Sequence, residues 1–167
     1  TPQLAITYDS GAGNGPFGAG MSLALGSISR RTNKSVPLYD DERDAFSLTG
    51  EDDLVPFLVH DGEQWIRDIR RNGEYRVTRY RPRVEKTFAR IERWQSSADD
   101  YWRVITPDNV AHFYGTDSPA RICDPADESR IFRWAHSRSV DDRGNVIRYT
   151  YVRDGAAHYL SRVQWGN

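Results

Sequence analysis

Two stretches of alternating side chains flank a connection in which glycine stands at positions 11, 13, 15, 18 and 20. Leu4, Ile6 and Tyr8 share one face of the first stretch, and Met21, Leu23 and Leu25 share one face of the second. A period of two on both sides predicts strands, because successive side chains of a strand point to opposite faces. Gly11, Gly13, Gly15, Gly18 and Gly20 then shape a tight connection between them, since glycine accepts positive φ and close backbone approach. Gly13, Gly15 and Gly18 also fit the GxGxxG spacing of a dinucleotide loop. That loop needs a helix N-terminus behind it to face the pyrophosphate, and a strand follows here instead. The opening is expected to be a hairpin, with no cofactor.

The same period recurs down the chain. Short strands are predicted at Phe46–Leu48, Asp53–Val59, Trp65–Ile69, Tyr75–Arg81, Thr87–Trp94, Tyr101–Ile105, Val110–Tyr114, Phe132–Val140, Val146–Val152 and Tyr159–Trp165. Asn72-Gly73 is a two-residue hairpin signal, because both centres of a type I′ turn need positive φ. Asp141 to Asn145 reads as a turn with Gly144 in the left-handed region and Asn145 beside it, a G1-bulge hairpin. One helix is expected, short, at about 125–133, with Asp124 as cap and Pro125 in its first turn. The fold class is therefore all-β, mostly antiparallel hairpins in a curved sheet or open sandwich, in one domain over residues 1–167. A chain of 167 residues is long enough for one real core.

Composition narrows the function classes. Net charge is −1, so no global field selects nucleic acid or a membrane surface. No run approaches the roughly 20 apolar residues that span a bilayer as a helix. Cys123 is the single cysteine, which excludes an internal disulfide, and its neighbours Ile122 and Asp124 offer no cation to activate it. His60, His112, His136 and His158 show no metal-ligand spacing, and no serine sits in a GxSxG elbow. No catalytic or metal-binding residues are singled out.

Charge is nevertheless uneven. From Arg67 to Arg93 the chain carries nine arginines and one lysine against four acids, with Tyr75, Tyr80, Phe88 and Trp94 interleaved. Arg79, Arg81 and Arg83 lie two apart and so share a strand face. With Arg90 and Trp94 they form a candidate interaction face. The simplest account is an internal ion-pair surface, with the acidic stretches at 40–42 and 51–53 as partners. Contact with another subunit or with nucleic acid is the alternative.

The opening, PQLxxxYxSGxGNGPxGxGxSLxLxSISR, resembles the start of the SpvB-type N-terminal domain in B components of insecticidal Tc toxin complexes. The resemblance continues in order through Gly50-Glu51-Asp52-Asp53-Leu54-Val55-Pro56 and Tyr80-Arg81-Pro82-Arg83-Val84-Glu85. It goes on through Phe88-Ala89-Arg90-Ile91-Glu92-Arg93-Trp94, Asp124-Pro125-Ala126-Asp127 and Arg130-Ile131-Phe132-Arg133-Trp134 to Tyr159-Leu160 and Trp165-Gly166-Asn167. Asp142-Arg143-Gly144-Asn145 with Tyr149-Thr150-Tyr151 is also similar to one YD repeat of Rhs proteins. Ala120, Glu128 and Trp165 depart from the family pattern.

The resemblance implies a fragment of a much larger secreted chain, by an unspecified route, that forms part of a β-sheet shell. That shell would encapsulate and help deliver a C-terminal toxic effector. The implied partners are the rest of the B-component chain, the C component with its effector, and the A-component translocation pore, with no nucleic acid and no direct membrane insertion. The implied domain is not an enzyme. The alternative is a secreted β-rich module that binds glycan or nucleic acid through its arginine and aromatic face.

Overall fold

The computed structural model describes residues 4–10, 14–15, 18–23, 25–32, 36–51, 53–155 and 157–166. The opening folds as a nested hairpin of β1 (Ile6–Tyr8), β2 (Asn14–Gly15), β3 (Gly18–Ala19) and β4 (Met21–Leu23), in which β1 pairs with β4 and β2 with β3. Gly20 is needed there. Its φ is +74°, and a Cβ would sit 2.6 Å from the Asp9 carbonyl oxygen. Gly11 and Gly13 lie outside the described residues.

The main sheet then begins with β5 (Ser27–Arg30), β6 (Phe46–Leu48) and β7 (Asp53–Pro56). A separate hairpin, β8 (Leu58–His60) and β9 (Trp65–Arg67), projects before the chain returns through β10 (Ile69–Asn72) and β11 (Tyr75–Pro82). β12 (Arg90–Gln95), β13 (Asp100–Ile105) and β14 (Ala111–Tyr114) follow as a meander. After a 3₁₀ turn at Ser118–Ala120 come β15 (Arg121–Asp124), β16 (Asp127–Val140), β17 (Val146–Asp154) and β18 (Ala157–Gly166).

The expected curvature goes all the way to closure. The order β14-β13-β12-β11-β7-β6-β5-β16 is completed by a β14–β16 pairing, so eight strands form a closed antiparallel barrel. β10 adds to β11, β15 adds to β16, and the β17–β18 hairpin extends from β16. The barrel removes the free edges of those eight strands, while β18 ends the sheet.

The inside is filled by one face of the alternating strands. Ile28, Phe46, Leu54, Tyr80, Ile91, Val104, Trp102 and Trp134 pack there. Phe46 meets Tyr80, Trp102 and Trp134 edge-on at centroid distances of 5.7, 5.1 and 6.0 Å. Each such pair adds about 0.5–1.5 kcal/mol beyond area burial. Few aliphatics are needed because aromatic rings fill the lumen. A second cluster of Ala120, Ala135, Tyr149 and Tyr151 seats the β17–β18 hairpin against the barrel.

The helix expected at 125–133 is not formed; residues 125–126 make a turn and 127–133 begin the fourteen-residue strand β16. Asp124, read as the helix cap, makes a turn instead, as does Asp127. The Asp124 carboxylate accepts from the Ala126 N–H at 2.9 Å, and the Asp127 carboxylate from the Ser129 N–H at 3.0 Å. Asp124 and Asp127 then face each other across a hairpin. Nine residues make a marginal helix, whereas β16 finds ladder partners in β5, β14, β15 and β17.

Candidate functional site

Polar chemistry concentrates on β12, whose two faces hold two separate ion networks. The inward face carries Arg93, 2% exposed, with bonds from Nε and Nη2 to the Asp100 carboxylate at 2.9 and 2.7 Å. Its Nη1 reaches Asp41 at 2.6 Å, and Arg30 joins the same group through Asp41 and Asp44, both at 2.9 Å. Burial alone would raise the Asp41 carboxyl, but Arg93 and then Arg30 overcome it and hold it at about 2. Both guanidiniums also lie over the Phe46 ring, at 5.1 and 5.2 Å. The acidic loop at 40–44 is thereby pinned to the barrel, and removing one partner would leave a buried charge unpaired.

The outward face carries Arg90, Glu92 and Trp94. Glu92 is fully buried, although it points away from the lumen. Its carboxylate accepts from Arg90 Nε at 2.6 Å, Arg103 Nη2 at 2.7 Å, Trp94 Nε1 at 3.1 Å, and Arg70. Burial pushes this carboxyl up, and the hydrogen bonds from Arg103 and Arg90 bring it below its ordinary value. Trp94 stacks on Tyr101 at 6.1 Å, and the Arg103 guanidinium covers it at 4.8 Å.

Strand register turns this cluster into a transverse row. Arg79 stands opposite Glu92, Glu92 opposite Arg103, Arg103 opposite Phe113, Phe113 opposite Arg138, and Arg138 opposite Arg148. Of the residues singled out by sequence, Arg79, Arg81, Arg90 and Trp94 share this outer wall. Arg83 is exposed beyond the end of β11. The acids expected to pair with Arg79, Arg81 and Arg83 go elsewhere: Asp41 to Arg30 and Arg93, Glu42 to Arg67, and Asp53 to Arg31. Arg79 instead lies 3.9 Å from Asp68 and 3.9 Å over Phe57. Glu92, Arg70, Arg103, Arg138 and Arg148 were missed. The Arg90-x-Glu92-x-Trp94 alternation was the available signal for Glu92.

The hairpin turn forms one residue later than Asn72-Gly73 predicts, and not as type I′. Asn72 ends β10 and the turn centres are Gly73 and Glu74, with positive φ (58°) only at Gly73, the pattern of a type II′ turn. Gly144 has φ of 80°, and the Asp141 carboxylate accepts from the Asn145 N–H at 2.8 Å and the Asn145 side chain at 2.7 Å. Gly15 and Gly18 face each other in the opening hairpin.

Tertiary contact adds two pairings that spacing could not reveal. His112 and His136 both bond to the Ser139 hydroxyl, at 2.8 and 2.9 Å. Cys123 Sγ lies 3.6 Å from Arg153 Nη2, yet burial, outweighing Arg153, pushes the thiol up. Among the described residues, no group of three or more His, Cys, Asp or Glu is placed to hold a metal ion.

The whole chain, residues 1–167, matches the SpvB family, described as Salmonella virulence plasmid 65kDa B protein. It is 35% identical over 189 aligned positions to mono(ADP-ribosyl)transferase SpvB of Salmonella typhimurium, covering 99% of this chain and 32% of that protein. The chain thus spans about a third of the curated relatives it matches. The N-terminal domain of effector protein SpvB from Salmonella typhimurium superposes with a TM-score of 0.85 at 36% identity, over 99% of this chain and 59% of that one. A chain of the Photorhabdus luminescens Tc holotoxin pore superposes with a TM-score of 0.85 at 32% identity, over 99% of this chain and 8% of that one. The TcdB2-TccC3 crystal structure gives 0.80 at 33%, over 99% and 9%.

Proposed function

This chain belongs to the SpvB family of toxin-associated domains, and from that premise we propose that it is a structural segment of a toxin-complex B component. In this role it forms part of a β-sheet shell that encapsulates a C-terminal toxic effector and helps deliver it from a secreted complex. The carrying observation is coverage. Nearly all of this chain superposes on chains of Tc assemblies, and it accounts for only 8–9% of each. That a domain of this size recurs whole within those large chains supports a structural role. The partners proposed are the remainder of the parent chain, the C component with its effector, and the A-component pore.

The transferase activity in the name of the curated relatives stays with those proteins, because this chain spans 32% of their length. The proposed role is non-enzymatic. It is served by what the chain does build: a closed barrel, a locked acidic loop and a long terminal strand, β18.

The test uses the parent protein co-expressed with its C component. Trp102→Ala with Trp134→Ala empties the lumen of this barrel and should destabilise it by several kcal/mol. The expected result is loss of protease protection of the effector, with the effector's own activity intact once released. Equal protection with and without a folded barrel would defeat the shell reading.

A further inference from the structure

We propose that the outer arginine field around Glu92 is a docking surface for an acidic, carboxylate-bearing polypeptide segment. The inference goes beyond the shell reading and does not need it. Three guanidiniums, those of Arg70, Arg90 and Arg103, share the one carboxylate of Glu92, which leaves two positive charges in surplus. Arg81, on the same wall, is exposed and among the described residues bonds only to the Pro82 carbonyl, at 3.5 Å. Arg138 and Arg148 stand directly opposite each other, and neither has an acid within ion-pair distance among the described residues. Like charges placed opposite on neighbouring strands are destabilising, so this arrangement costs stability in the free chain. Arg138 Nε is also buried without a hydrogen-bond partner. The wall is cation-rich and not acid-free: Asp68 lies 3.9 Å from Arg79, and Asp99 and Asp117 line the cleft that Arg138 and Arg148 share, outside ion-pair distance of both.

The field is ordered before any partner arrives. Glu92 is fully buried and anchors its arginines, while the side chains of Arg70 and Arg90 remain 42% exposed. Arg90 uses only Nε on Glu92, which leaves its two Nη groups for an outside acceptor. A planar guanidinium offers paired N–H donors that match a carboxylate, and side chains already held in place lose little entropy on binding.

The aromatic rings of the wall select against nucleic acid. Binding of single strands uses free ring faces on which bases stack. Here Trp94 is 9% exposed beneath Arg103, and Phe113 lies under the Arg138 guanidinium at 4.2 Å. The rings hold the arginines in place, and the donors are what remains outward. Carboxylates on an extended acidic segment can engage them.

The experiment compares binding of the chain to a labelled oligo-glutamate peptide and to an oligo-thymidine strand of equal charge, by fluorescence anisotropy at low salt. Two double variants are read alongside: Arg70→Gln with Arg90→Gln, and Arg81→Gln with Arg148→Gln. The second pair makes no contact with Glu92, so it decides the matter if the first fails to fold. Oligo-glutamate should bind more tightly than oligo-thymidine, and a folded double variant should lose about tenfold, equal to roughly 1.4 kcal/mol. The proposal is overturned if oligo-thymidine binds as tightly or more so, if oligo-glutamate does not bind, or if folded variants bind like the parent.

Discussion

Gly73 and Gly115 show how differently a single residue can be constrained. Gly73 has φ of 58° with open space where a Cβ would go, so Gly73→Ala meets only backbone strain. At Gly115 φ is 70° and a Cβ would sit 2.3 Å from Trp134 Cδ1, so strain and collision combine. Trp134 cannot yield easily, because it packs against Phe46 and Trp102 and its Nε1 donates to the Asp100 carbonyl at 3.1 Å. Gly73→Ala is expected to cost about 1–2 kcal/mol and Gly115→Ala more than about 3 kcal/mol, measured by urea unfolding. Equal losses would mean that Trp134 does move. Gly73 was legible from its Asn-Gly neighbourhood. Gly115 carried no comparable signal, because its constraint comes from a tryptophan far away in sequence.

At the scale of elements, the seam between β14 and β16 decides whether the sheet closes, and two histidines sit on it. His112 and His136 share the Ser139 hydroxyl, which has one proton to give, so one imidazole accepts from it and the other donates to it. His136 is stacked between Tyr114 and Tyr149, at 4.9 and 4.7 Å, and Tyr151 donates to its backbone carbonyl. Burial first, and then His112, push His136 down from 6.5 to about 4. Burial also lowers His112, against the pull of Asp108. Folding therefore favours the neutral imidazoles. Their contribution is fully present above the ordinary histidine value near 6.5 and is lost as pH falls toward 4. For His136 the loss between about pH 7 and pH 4.5 is about 2 kcal/mol. Asp41 follows separately: its carboxyl is lowered from 3.8 to about 2, so its contribution starts to fall only below 3.8. Chemical unfolding across this range should show the histidine slope, and His136→Phe, which keeps a ring between the tyrosines, should flatten it. A slope unchanged by His136→Phe would place the proton uptake elsewhere. Periodicity put both histidines in strands; their meeting depends on β16 pairing with β14, which local pattern does not encode.

For the whole molecule, closure predicts a hierarchy of opening. Amides of β12 and β13, bonded on both sides within the ring, should exchange with solvent only through global unfolding. The β8–β9 hairpin stands outside the ring and should exchange locally and faster, as should the outer edge of β18. Comparable protection in β8 and β12 by hydrogen exchange would contradict a closed barrel as the unit of stability. Alternation along the chain was enough to determine an all-β fold, the glycine-rich opening hairpin, the turn at Asp141–Asn145 and, through collinear motifs, the family. These are local properties, set by φ, side-chain period and turn chemistry within a few residues. Only the tertiary structure decided that the curved sheet closes, that 127–133 is strand, and that Asp41 locks Arg30 and Arg93 inside while Glu92 gathers arginines outside. Each of these depends on which strand lies beside which, a long-range choice governed by burial and ladder pairing.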